Sequence, residues 1–174
     1  MKRWAILAGL GIAGALLFTA TPITQAQDGK PAAAQGGGPF GGLDLVGGLK
    51  KTEGCLGVET ARTSSGKSVI FAWFENKKAA MNWYNSPDHM KAMMMMGPQK
   101  RQGEPMAGVP DDIPVLAIAS VTFSDKPKFK DIPFPISQIA IELYTPVTGG
   151  LFLGERFAPE GLKVPDMKNY TPPK

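Results

Sequence analysis

Residues 68–74, SVIFAWF, constrain the fold more than any other stretch, because an extended segment has two faces and here both are apolar. Val69, Phe71 and Trp73 fall on one face, Ile70, Ala72 and Phe74 on the other. A strand of this kind has to be covered on both sides. It follows a second extended run, CLGVETAR, across the turn-forming Ser64, Ser65 and Gly66, so the pair is predicted to form a β-hairpin. Beyond it Asn76 is a good N-cap, and KKAAMNWYN places Ala79, Ala80, Trp83 and Tyr84 on one helical face. Ser86-Pro87-Asp88 then restarts a helix: a capping hydroxyl, a proline suited to the first helical position, and a carboxylate at the positive end of the dipole. That helix is expected to run to Met96 and to stop at Gly97-Pro98.

The rest of the chain is read around this unit. Leu43, Val46 and Leu49 have helical spacing, weakened by Gly47 and Gly48. QKRQGEPMAGVPDD reads as a loop and Ile113 to Phe123 as another apolar strand. Pro127, Pro133 and Pro135 keep the following segment extended but out of a central ladder. IAIELYTPVTGGLFLGERF is predicted to close the domain as a second hairpin turning near Thr148, Gly149 and Gly150, with a proline-rich tail lying along the surface or across a partner. The fold class is therefore α+β: an antiparallel sheet with helices on one face and an extra C-terminal hairpin. Two helices cannot cover both sides of the sheet, and the economical second cover is the sheet of another copy in a symmetric homodimer.

The ends set compartment and boundaries. MKRW, an apolar run from Ala5 to Phe18, and TPITQAQ have the layout of a secretory signal peptide, with Thr24 and Ala26 at the small-residue positions before a cut at Ala26–Gln27. The apolar run is about 14 residues, short of the ~20 needed to cross a bilayer, so no membrane association is expected after cleavage, and the expected location is periplasmic or secreted. Residues 27–42 hold too little apolar surface to offset the entropy of ordering them and read as a flexible linker; 43–160 is the folded domain and 161–174 the tail. The formal charge of +4 falls to +2 once Lys2 and Arg3 leave with the signal, which does not suit a nucleic-acid binder. The lone Cys55 enters an apolar strand and reads as a small buried hydrophobe.

The stretch GCLGVETARTSSGKSVIFAWFENKKAAMNWYNSPDH resembles the central part of the dimeric α+β barrel superfamily, nearest in pattern to antibiotic-biosynthesis-monooxygenase-like domains. The matching positions are Gly54, Cys55, Leu56, Gly57, Trp73, Ala80, Trp83, Ser86, Pro87 and His89, with the strand from Leu116 to Phe123 beyond them. The resemblance implies a ferredoxin-like sheet that dimerises through its sheet. It also implies a cleft between sheet and helices where a small aromatic or apolar molecule is bound, or oxidised without a cofactor. The family's opening strand would fall in the glycine-rich linker, so one expectation is that Ile139 to Tyr144 takes its place in a rearranged sheet.

Carried onto this chain, the resemblance makes His89, Asn82 and Tyr84 the candidate catalytic residues, and Trp73, Trp83 and Arg62 candidate walls for the substrate. Only His89 is a natural base near neutral pH. The blander alternative for each is a core aromatic, an exposed helix amide or a structural histidine. A different class follows from the methionines, seven of nine lying between Met81 and Met106. On a helix His89, Met93 and Met96 share a face, and an imidazole with two thioethers suits Cu(I); the competing role is adaptable core packing. The acidic pair Asp111-Asp112 reads as a solvated cap ahead of a strand. No nucleophile elbow, phosphate loop, CxxC or HExxH occurs.

Overall fold

The computed structural model describes residues 43–97, 103–129 and 132–173. The expected signal peptide and linker, and the position of the family's opening strand, lie outside these. The chain begins with α1 (Leu45–Lys50), whose N-cap Asp44 accepts a 2.8 Å hydrogen bond from the Gly47 amide. The hairpin follows as β1 (Cys55–Arg62) and β2 (Ser68–Phe74), antiparallel, with Gly66 supplying the left-handed residue of its turn. Then come α2 (Lys77–Tyr84), α3 (Pro87–Met95), β3 (Val115–Phe123) and β4 (Ile136–Tyr144).

The four strands form one antiparallel sheet in the order β1-β2-β3-β4. The segment proposed to enter the sheet is indeed a strand of it: β4 pairs with β3 along its length and stands at the edge, while the inner place beside β2 belongs to β3. The helices lie on one side, giving a ferredoxin-like α+β arrangement in general outline. Alternation along β2 sends Ala72 and Phe74 into a core with Val58, Val115, Leu49, Ala79 and Ala80, all buried, and Trp83 packs against it. A second cluster joins Val121 and Ile136 to Leu45, Met96 and Phe134.

On the opposite side of the sheet, cross-strand neighbours form rows: Gly57, Trp73, Leu116 and Tyr144 in one, and in the next Phe71 and Ile118 flanked at the two edges by Glu59 and Glu142. Part of this face is covered within the chain. Phe157 meets Phe71 and Trp73 edge-on at centroid distances of 5.1 and 5.2 Å, Pro159 lies over Gly57, and the tail residue Leu162 is buried. Arg156 shapes this strap: its guanidinium donates to the carbonyls of Pro159, Glu160 and Leu162 at 2.8, 3.1 and 3.0 Å.

The extra C-terminal strand pair is present, with a different partner from the one expected. β5 (Leu151–Phe152) pairs in parallel with β6 (Lys168–Asn169) from the tail instead of folding back on β4. Pro146 cannot donate to a ladder, and Gly149 and Gly150, at φ 94° and 107°, turn the chain away toward Pro165, whose carbonyl accepts from the Gly149 amide.

Candidate functional site

The candidate residues of the helix layer meet at the break between α2 and α3. Asn76 caps α2 through a 2.9 Å bond from the Ala79 amide, and Ser86 caps α3 by accepting the His89 amide at 3.2 Å. Pro87 occupies the first position of α3, where a missing N–H costs nothing. Because Asn85 caps the end of α2 and the very next residue, Ser86, caps the start of α3, Trp83, Tyr84 and His89 are brought onto one another across the break. The His89 ring lies 5.6 Å from that of Trp83, edge-on, and 5.1 Å from that of Tyr84. Its Nδ1 is 2.8 Å from the Tyr84 carbonyl oxygen. A carbonyl only accepts, so Nδ1 carries the proton, and Nε2 is the nitrogen with the lone pair in the neutral ring. His89 is buried, which marks it first as a clasp across the helix break.

Helix α1 presses on this corner from the side. A Cβ at Gly48 would stand 2.7 Å from Asp88 Oδ2 and 3.1 Å from Trp83 Cζ3, so a residue without a side chain is what lets α1 sit against the aromatic cluster. Between them runs an open groove of about 350 Å³, lined by Gly48, Lys51, Thr52, Glu53, Asn82, Ser86 and Pro87. Asn82 is exposed in its wall. Lys51 and Glu53 bring opposite charges, and Thr52, whose Oγ1 donates to the Gly48 carbonyl at 3.0 Å, holds the turn that carries them.

The remaining candidates lie elsewhere. Trp73, 3 % exposed, belongs to the far side of the sheet beneath Phe157, so it cannot share a wall with Trp83. Arg62 is exposed at the hairpin end of β1, paired with Ser68; at about 3.3 Å per residue it is roughly 20 Å from the end of the sheet where α2 begins. Met96 packs into the Val121 and Ile136 cluster, Met93 is half-buried, and Met94 points outward. Among the described residues no group of three or more His, Cys, Asp or Glu side chains is placed to hold a metal ion, and no helix is long and apolar enough to cross a membrane. Burial pushes the Cys55 thiol above its ordinary range, and its S–H points at the Gly57 carbonyl 3.7 Å away. Asp111 forms a surface ion pair with Lys77 at 3.3 Å.

Sequence reasoning missed the contributions of Gly48, Lys51, Thr52 and Glu53. Their one signal was the glycine pair in α1, read as a weakness of the helix; here Gly47 leaves room for the Asp44 cap and Gly48 is the condition for close approach.

Fold and site together define an α+β protein with a four-stranded antiparallel sheet, helices on one side, and an open groove beside the Trp83, Tyr84 and His89 rings at a helix junction. No family model, curated protein or solved structure matches the chain.

Proposed function

We propose that this chain is an exported, antibiotic-biosynthesis-monooxygenase-like domain that works as a homodimer and binds a small aromatic molecule bearing polar groups in the groove between α1 and the α2–α3 break. The observation that carries this reading is the convergence of the motif residues. Trp83, Ser86, Pro87 and His89, scattered over seven positions, form one corner, and the groove beside it includes the candidate Asn82. The polar walls supply hydrogen-bond donors and acceptors for hydroxyl or carbonyl groups, while the Pro87 ring offers apolar surface.

Geometry favours binding over cofactor-free oxidation. His89, the one natural base near neutral pH, is buried and is not one of the residues that line the groove. The test is a thermal-shift panel of naphthols, catechols and quinols on the mature protein. A ligand of this class raises Tm by a few degrees at concentrations well above its Kd, and Asn82→Leu removes the shift without lowering the unliganded Tm. If no compound of the class shifts Tm at millimolar concentration, the reading fails.

A further inference from the structure

We propose that the ligand of the groove between α1 and the α2–α3 break is an aromatic α-amino acid, its carboxylate held by Lys51 and its ammonium by Glu53. This rests on the ligand-binding reading above and names the substrate class. The observation that carries it is a pair of opposite charges on one groove that do not neutralise each other. Lys51 and Glu53 both line the groove, two residues apart in the turn after α1, and neither forms an ion pair or side-chain hydrogen bond with the other or with any described residue. Both side chains are exposed, so their charged ends are open to a ligand.

The turn that presents the two charges is fixed through its backbone. The Thr52 amide donates to the Leu49 carbonyl and the Cys55 amide to the Thr52 carbonyl, each at 3.0 Å, and the Gly54 carbonyl accepts from the Glu75 amide at 2.9 Å, tying the turn to the end of β2. Only the ends of two side chains are left to order on binding. From α2 the groove receives Asn82, exposed and without a hydrogen bond among the described residues, whose amide offers both a donor and an acceptor. The Pro87 ring gives the ligand's aromatic part its apolar contact. A further carboxylate, Asp88, has its Oδ2 beside Gly48, but it sits in the first turn of α3 and answers that helix's positive end. The groove lining itself then holds one cation and one anion. A purely anionic ligand leaves Glu53 opposed and a purely cationic one leaves Lys51 opposed, whereas a zwitterion satisfies both.

The experiment titrates the mature protein with four matched probes and follows the Asn82 and Ser86 amide chemical shifts. The probes are phenylalanine, phenylpropionate without the ammonium, phenethylamine without the carboxylate, and phenylpropanol with neither. Phenylalanine is expected to bind tightest, roughly threefold tighter than each singly charged probe, because each exposed ion pair adds modestly. Lys51→Met is expected to weaken phenylalanine and phenylpropionate and to spare phenethylamine; Glu53→Gln is expected to weaken phenylalanine and phenethylamine and to spare phenylpropionate. An unchanged unliganded Tm confirms that each variant folds. Phenylpropanol binding as tightly as phenylalanine, or a phenylalanine Kd indifferent to both substitutions, overturns the zwitterion and leaves the groove a site for neutral aromatics. No saturable shift with any of the four at millimolar concentration overturns both.

Discussion

At the scale of single residues, Gly54 shows how a position read only as part of a motif acquires a cause. Its φ of 78° lies in the left-handed region, and an added Cβ would collide with Ala79 and come within 2.9 Å of Glu75 Oε1. Gly54→Ala is therefore expected to lower stability by about 2 kcal/mol or more, read as a fall in the urea midpoint. The Cys55 thiol gives a pH prediction. Burial raises its folded-state pKa, so the native state keeps a proton that the unfolded chain surrenders above about pH 9. Stability is then flat below that pH and falls as pH rises beyond it, and Cys55→Ala flattens the decline in a pH series of denaturation curves. His89 could be singled out in the sequence as the only imidazole, but its burial could not, since that depends on how the chain packs across the α2–α3 break. Tyr84, adjacent to the break, turns its carbonyl onto Nδ1 for the same reason. His89→Phe, which keeps the ring and loses the bond, is expected to cost about 1–2 kcal/mol in chemical denaturation.

At the scale of elements, what could be read was what is local. The turn at Gly66, the caps at Asn76 and Ser86 and the double-faced strand β2 each follow from neighbours a few positions apart, and each is present. Removing the α2 cap with Asn76→Ala is expected to cost about 1 kcal/mol, measurable as a lowered urea midpoint. The C-terminal strap was not legible, because its organiser acts at a distance: Arg156 is one cation among many in sequence, and only folding shows that three carbonyls within six residues turn toward it. Arg156→Met, which keeps the stem and removes the guanidinium, should release the strap from Phe71 and Trp73. The expected readout is a red shift of tryptophan emission with faster proteolysis at Lys163 and Lys168, while amides of β2 and β3 stay protected in hydrogen exchange. Unchanged emission and cleavage would assign the strap's hold to Phe157 and Leu162 instead.

At the scale of the whole molecule, the sheet with helices on one side was legible from the alternation of apolar residues and the order of elements, since two helices can cover only one face. The strap was not: the second face is met in part by the chain's own Phe157, Pro159 and Leu162. The groove was half legible. Asn82 and the serine–proline corner stand out in sequence, whereas the α1 wall depends on Gly48, whose value lies in what it allows to approach. The most direct test of the central claim is an amide chemical-shift titration of the mature protein with a hydroxylated naphthalene. Ligand binding as described here shifts the amides of Gly48, Lys51 to Glu53, Asn82 and Ser86 in a saturable manner and leaves Arg62 and the β1–β2 turn unmoved. Saturable shifts confined to the second face around Phe71 and Phe157, or none up to millimolar ligand, would contradict it.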